Sequence, residues 1–269
     1  MERKLIGAGR TSEVYEYGDD CILKLFTDEI KLDMVKKEYD FSRFAYENDL
    51  PTPEPKEIMY EKDRIEILYE KINGEPLLKI AMMNVLAIKK ILSKMAELQY
   101  KINSMEYDNG AYTFKKYLER AIEENIFITG IEKKNMKEYI NKLPGGNKVC
   151  HGDFHPENIL CSNGKYYIID WMTGMQGPPA ADVARTEMIL KNAEIPGRAM
   201  FFIKILIRIV QSKMAKMYVK EYCRISGMKK NELDIWRLPL YVARLNEKNS
   251  KKEEERLMKI IRKLENQAL

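Results

Sequence analysis

Histidine and cysteine are scarce in this sequence. Among 269 residues there are two histidines, His151 and His155, and four cysteines, Cys21, Cys150, Cys161 and Cys223. No cysteine pair has C-x-x-C spacing, so neither a zinc ribbon nor a dithiol redox motif is indicated. The expectation is a cytoplasmic protein with reduced, mostly buried thiols. Long apolar runs are also missing. Met1-Glu2-Arg3-Lys4 lacks the apolar run of a signal peptide, and none is expected. The most apolar segment, Ala199 to Val210, is interrupted by Lys204 and Arg208 and is too short to cross a bilayer. Internal repeats and low-complexity tracts are absent, and no membrane role is expected.

Overall charge is modest, with 46 Lys+Arg against 41 Asp+Glu and a net of +5. Its distribution is uneven. Residues 183–269 hold 20 of the cations and 10 of the acids, which leaves 26 cations and 31 acids in residues 1–182. Aromatic residues are not interleaved with the C-terminal cations in a nucleic-acid-binding pattern, so these charges read as solvated helix faces and no nucleic-acid partner is expected. With 45% hydrophobic and 32% charged residues the chain is ordinary for a folded protein, and it is long enough for two lobes.

The most informative stretch is Cys150-His151-Gly152-Asp153-Phe154-His155-Pro156-Glu157-Asn158-Ile159-Leu160. Asn158 follows Asp153 by five residues, and Asp170 follows Asn158 by twelve, at the end of the apolar run Tyr166-Tyr167-Ile168-Ile169. Asn163-Gly164 predicts a hairpin turn joining the two strands. Asn158 then starts one strand and Asp170 ends the other, so the two come close. An acid, an amide and a second acid so arranged suit Mg-nucleotide phosphoryl transfer. One carboxylate orients or deprotonates a hydroxyl, while the amide oxygen and the other carboxylate hold Mg²⁺ on the nucleotide phosphates.

The start of the chain supports this reading. Leu5 to Tyr15 predicts strand, glycine turn and strand, with Gly7 and Gly9 allowing close approach of a bulky anion through φ > 0 and the missing Cβ. Ser12 stands where a third glycine would complete G-x-G-x-x-G. Alone, this is a tight hairpin more often than a phosphate loop. The strand Cys21 to Phe26 carries Lys24 in its middle, either on a solvated face or reaching into a cleft to contact phosphate. A helix is predicted over 29–49, with Glu38 the best partner for Lys24 and Glu29 a poorer one. Pro51, Pro53 and Pro55 end it. Strands Ile58-Met59-Tyr60 and Ile65 to Glu70, joined by a turn at Glu61 to Arg64, complete five strands and one helix. The backbone of residues 69–72, including Glu70 and Ile72, is placed by position to meet an adenine edge. The predicted domains are 1–72, binding nucleotide, and 73–269, with the catalytic loop and substrate-binding helices.

After Pro76, helices are predicted over Ile80 to Met105, Phe114 to Asn125 and Ile131 to Leu143, and later over 197–226, 229–247 and 250–266. The stripe Met82, Met83, Leu86, Met95, Leu98 reads as core. Asp182 either sits exposed in the first turn of a helix or braces the catalytic loop through hydrogen bonds.

The chain resembles the aminoglycoside phosphotransferase and choline kinase-like enzymes, a branch of the protein-kinase-like fold. The likeness is carried by His151 to Asn158, by Ile169-Asp170-Trp171 in place of Asp-Phe-Gly, and by Gly177 to Arg185. It implies an α+β, bilobal fold with a small five-stranded antiparallel N-lobe bearing one helix, and a larger helical C-lobe. It implies Asp153 as catalytic base, Asn158 and Asp170 as Mg²⁺ ligands, Lys24 on the α- and β-phosphates paired with Glu38, and Gly7, Gly9 and Ser12 over the nucleotide. ATP is the expected donor, with GTP possible. His151 is implied to be structural.

The acceptor is less legible. A hydroxylated small molecule such as an amino alcohol or sugar is the first expectation, and an aminoglycoside is the second. The basic 183–269 region weakly disfavours a polycation. An aromatic cage for a choline-type group has candidates in Trp171, Trp236, Tyr218, Tyr222 and Tyr241. A protein kinase or nucleotide-dependent binding module is the reading of another class, although no Ala-Pro-Glu segment follows Asp170. Oligomeric state is not encoded in any visible feature.

Overall fold

The computed structural model describes residues 3–61, 64–108, 110–193, 200–247 and 250–268. Part of the turn expected at 61–64, and the start of the helix expected from 197, lie outside these residues. In chain order the first elements are strands β1 (Leu5–Ala8), β2 (Ser12–Tyr17) and β3 (Cys21–Phe26), helix α1 (Leu32–Glu47), and strands β4 (Pro55–Glu61), β5 (Arg64–Glu70) and β6 (Glu75–Pro76). Helices α2 (Leu77–Met83), α3 (Ile88–Ser104), α4 (Phe114–Glu123) and α5 (Gly130–Lys142) follow. Strands β7 (Lys148–Cys150), β8 (Ile159–Ser162), β9 (Lys165–Ile168) and β10 (Met175–Gly177) precede helices α6 (Pro179–Asn192), α7 (Phe201–Ser226), α8 (Asn231–Arg244) and α9 (Lys251–Ala268).

These elements form two compact units, residues 1–87 with 155–174, and residues 88–154 with 175–269. The grouping differs from a division at residue 72. Strand β6 pairs with β8, and the Ile168 N–H bonds to Pro51 O at 2.6 Å, so the β8–β9 hairpin is tied to the sheet unit.

The first unit contains a five-stranded antiparallel sheet in the order β1-β2-β3-β5-β4, as expected. Helix α1 packs its apolar stripe on this sheet. Val35 meets Phe26, Ile67 and Tyr69 in a buried cluster that also takes in Met172. The helix begins at Leu32, so Glu29 lies outside it. The hairpin turns at Asn163 and Gly164, both left-handed with φ of 49° and 78°, as a type I′ turn demands. Gly174 is sterically required, because a Cβ there would lie 2.6 Å from the Phe41 ring.

One expected helix is broken. The stretch 80–105 divides at Asn84, whose Oδ1 accepts the Leu86 N–H at 3.1 Å, a local bond that competes with helix continuation. Met95 and Leu98 are buried as expected, but Met82, Met83 and Leu86 are exposed, so the stripe is core only beyond the break.

In the second unit α3 packs on α7, α6 on α7 and α8, and α8 on α9. A short antiparallel pair, β7 with β10, runs beside them. Helix α5 starts with a reciprocal capping box, in which Thr129 accepts the Glu132 N–H and Glu132 accepts the Thr129 N–H. Helix α7 ends at Gly227, which is left-handed at φ 74°. The aromatic candidates for a cage are core residues instead. Trp171, Trp236, Tyr218 and Tyr222 are fully buried and Tyr241 nearly so. Tyr222 and Trp236 also line a cavity of about 540 Å³ with Tyr100, Pro178 and Pro179.

Candidate active site

Within the sheet unit, Lys24 is the centre of a buried charge chain. It lies in β3 opposite Val14 of β2 and Ile67 of β5. Its Nζ donates to Glu38 Oε1 at 2.5 Å and to Asp170 Oδ1 at 2.9 Å. Helix α1 supplies Glu38, which is fully buried and also accepts the Tyr69 hydroxyl at 3.2 Å. Burial alone would lower the lysine pKa, but the two carboxylates outweigh it and hold the ammonium charged. Burial pushes the Glu38 carboxyl up, with Lys24 opposing that shift. Glu38 Oε2 is buried with no hydrogen-bond partner, so the side chain is held through Oε1.

The β8–β9 hairpin brings Asn158 and Asp170 together as the spacing predicts. The Asn158 carbonyl accepts the Ile169 N–H at 3.0 Å, one residue before Asp170. Asn158 is buried, and Asp170 is about a third exposed. Asp170 has φ 66° and ψ 67°, a left-handed conformation that costs a non-glycine residue energy and that recurs at functional positions. Its neighbours fix it there. Thr52 Oγ1 donates to Ile168 O at 2.7 Å and accepts the Trp171 indole N–H at 3.1 Å. The Asn158 and Asp170 side chains offer hard oxygen donors, which fits Mg²⁺ or Ca²⁺ and not a thiophilic metal. Among the described residues no three His, Cys, Asp or Glu side chains gather as a metal cluster.

The glycine turn differs from expectation in one respect. Gly7 and Gly9 are not among the left-handed glycines, and a Cβ at either would meet nothing closer than 3.7 Å. The protein's own packing therefore does not require glycine at these positions. The turn closes through Gly9 N–H to Ser12 O at 2.8 Å, with Ser12 buried. At the end of β5 the Glu70 N–H is already donated to Glu54 O at 2.9 Å and the Lys71 N–H to Asp20 O at 2.8 Å. The Ile72 carbonyl accepts from Gly74, and its N–H makes no hydrogen bond among the described residues.

In the helical unit, β7 leads into His151, Gly152 and Asp153. Asp182, fully buried in the first turn of α6, holds this segment. Its carboxylate accepts the His151 N–H at 3.2 Å, the Gly152 N–H at 2.9 Å, Gln99 Nε2 at 2.9 Å and Asn103 Nδ2 at 3.0 Å. Of the two readings of Asp182, the bracing one is therefore observed. Gly152 is left-handed at φ 76°, which a side chain would resist. His151 is buried and its Nδ1 accepts the Asp153 N–H at 3.3 Å, a structural contact. The Asp153 carboxylate is half-buried.

The sequence reading missed the role of Arg185. This buried guanidinium donates to Gly152 O and to the Tyr117 hydroxyl, with its Cζ 5.1 Å from the Tyr117 ring centre. Burial would lower its pKa, but Tyr117, Glu247, Asp153 and Asp182 together hold it charged. Only its place one turn after Asp182 hinted at this contact.

Residues 2–193 match the model of the phosphotransferase enzyme family. The chain belongs to this family. It is accordingly a phosphotransferase of the kinase type, and its helices α7 to α9 lie beyond the matched span. No curated protein matches this phosphotransferase in sequence. Its fold is shared with amicoumacin kinase hAmiN in complex with AMP-PNP, Ca²⁺ and Ami, at 14% identity and TM-score 0.65, covering 98% of this chain and 88% of that one. Aminoglycoside phosphotransferase APH(4)-Ia, in a ternary complex with AMP-PNP and hygromycin B, is similar at 15% identity and TM-score 0.65, with 97% and 93% covered. A GDP and kanamycin complex of an APH(2″) enzyme is similar at 13% identity and TM-score 0.61, with 100% and 94% covered.

Proposed function

We propose that the enzyme transfers the γ-phosphoryl group of ATP to a hydroxyl of a small molecule. The observation that carries this reading is the Lys24–Glu38–Asp170 charge chain, with Asp170 held left-handed at the end of β9. Lys24 is charged and fixed, so it presents a preorganised cation to the α- and β-phosphates. Asn158 and Asp170 hold Mg²⁺, which neutralises charge on the phosphates when bound. Gly7, Gly9 and Ser12 form the cover of the nucleotide, where missing side chains leave room for phosphate. The Ile72 N–H is available to an adenine edge, whereas the Glu70 N–H is spent within the fold.

Asp153 orients the acceptor hydroxyl and takes its proton as the new O–P bond forms. Asp182 and Arg185 are positioning residues. They hold Gly152 at both its N–H and its carbonyl, one peptide on either side, and so set the direction of the next residue, Asp153.

The acceptor is a hydroxylated metabolite, such as an amino alcohol or a sugar, and the enzyme acts in the cytoplasm. The second reading is an aminoglycoside or another aminated natural product, favoured by the ligands bound to the structurally similar proteins. ATP and GTP consumption should be measured against aminoglycosides, amicoumacin-type compounds, amino alcohols, sugars and nucleosides. Turnover confined to one metabolite class supports the first reading, and turnover confined to antibiotics supports the second. Nucleotide binding without turnover on any acceptor would remove both.

A further inference from the structure

Helix α7 exposes an unusual face. Its buried side is formed by Ala215, Tyr218, Val219 and Tyr222. On the opposite side, positions 202, 206, 209, 213, 216 and 220 follow the alternating four- and three-residue spacing of one helix face. The first three are Phe202, Leu206 and Ile209, with Phe202 65% and Leu206 61% exposed. The last three are Lys213, Lys216 and Lys220, all exposed and, among the described residues, unpaired with a carboxylate. Ile203, Ile205 and Val210 widen the apolar half and are exposed as well. At about 1.5 Å per residue this face is about 27 Å long, half apolar and half cationic. Residues 201–220 contain no Asp or Glu.

We infer that this face docks the enzyme on the surface of a bilayer containing anionic phospholipid. A solvated helix face does not require aromatic and aliphatic side chains on its outermost line, and a patch of this kind marks an interaction surface. The face has its exposed positions along one helix, a line that a deformable apolar phase accommodates. Its charges are all positive, complementary to lipid phosphates, with lysine stems that can lie along apolar surface while the ammonium reaches the headgroups. A second copy is disfavoured on the same grounds. Apposing the full length of this face to itself either brings lysines against lysines or buries them against Phe202, Leu206 and Ile209, and pairing the apolar halves alone would leave Lys213, Lys216 and Lys220 with no anionic counterpart. No helix among the described residues is long and apolar enough to cross a membrane, so the mode is interfacial.

The test is co-sedimentation of the full chain with phosphatidylglycerol–phosphatidylcholine vesicles and with phosphatidylcholine vesicles alone. Binding to the anionic vesicles, weakened by salt, is expected. Replacing Lys213, Lys216 and Lys220 by Gln should lower partitioning by about a hundredfold, at about fivefold for each lysine. Phe202→Ser/Leu206→Ser/Ile209→Ser should abolish binding while circular dichroism and nucleotide turnover stay unchanged. Absence of binding to anionic vesicles overturns the proposal, as does binding that both variants retain. A dimer in solution that the serine variant dissociates, without vesicle binding, assigns the face to a second copy and also overturns it.

Discussion

Lys24 and Asp170, 146 residues apart in sequence, are joined by a 2.9 Å ion pair. The same ammonium binds Glu38, so one cation ties the middle of β3 to α1 and to the end of the β8–β9 hairpin. The pair couples the middle of a sheet strand to the hairpin end through a single side chain, and it makes distinct predictions for each partner.

Lys24→Met leaves Glu38 as an uncompensated buried charge. It should destabilise the protein by about 3 kcal/mol and abolish turnover. The double variant Lys24→Met/Glu38→Leu should recover most of the stability and none of the activity. Urea unfolding of the two variants, alongside a turnover assay, checks both. Equal stability of the single and double variants would remove the ion pair from the account.

Asp153→Asn and Asp170→Asn should fail differently. The first should lose about 10²–10⁴-fold in kcat with nucleotide affinity retained, since only proton acceptance is removed. The second should lose Mg-dependent nucleotide affinity as well. Calorimetric titration with a non-hydrolysable ATP analogue, with and without Mg²⁺, separates the two. Full turnover in Asp153→Asn would exclude it as the base.

Asp182→Ala strands four buried donors at once, and at about 1 kcal/mol or more each the loss should be at least about 4 kcal/mol. Arg185→Lys keeps the charge but cannot span Gly152 O and Tyr117 with a planar fork. It should fold and lower kcat more than it changes KM for ATP. A KM effect alone would make Arg185 merely structural.

Lys37, buried in α1, supplies a pH dependence. Burial pushes its pKa down to about 8. The unfolded chain holds this proton up to about 10.4, so between pH 8 and 10.4 the unfolded state binds more protons and stability rises with pH. The gain should reach about 3 kcal/mol and be missing in Lys37→Met. Denaturant midpoints of the two proteins across this range, taken as a difference, test the sign. A wild-type curve parallel to that of the variant would contradict it.

Several parts of the site were legible in sequence because they depend on short-range chemistry. Asn163-Gly164 specifies a turn whose two residues must be left-handed, and from that turn the meeting of Asn158 and Asp170 follows by counting. The helix expected over 29–49 carried Glu38 as the better of two glutamate partners for Lys24, and the two do pair. Other features depended on competition between local bonds. The Asn84 side chain ends α2 early, and this leaves Met82, Met83 and Leu86 in solvent, which the apolar pattern alone reads as core. The freedom of Gly7 and Gly9 to take φ > 0 goes unused: Gly7 lies within β1 and Gly9 just beyond its end, and neither is left-handed.

By itself the sequence determined the phosphotransferase chemistry and the five-stranded sheet, because His-x-Asp-x4-Asn spacing, turn residues and strand alternation act over a dozen residues or fewer. Only the tertiary structure decided which charges meet. The pairing of Lys24 with Asp170, the four donors on Asp182 and the grip of Arg185 on Gly152 join residues 30 or more positions apart. It also decided what is left uncovered. An apolar stripe looks the same in sequence whether it faces a core or solvent, and on α7 the face bearing Phe202, Leu206 and Ile209 turned outward because Ala215, Tyr218 and Tyr222 packed inward.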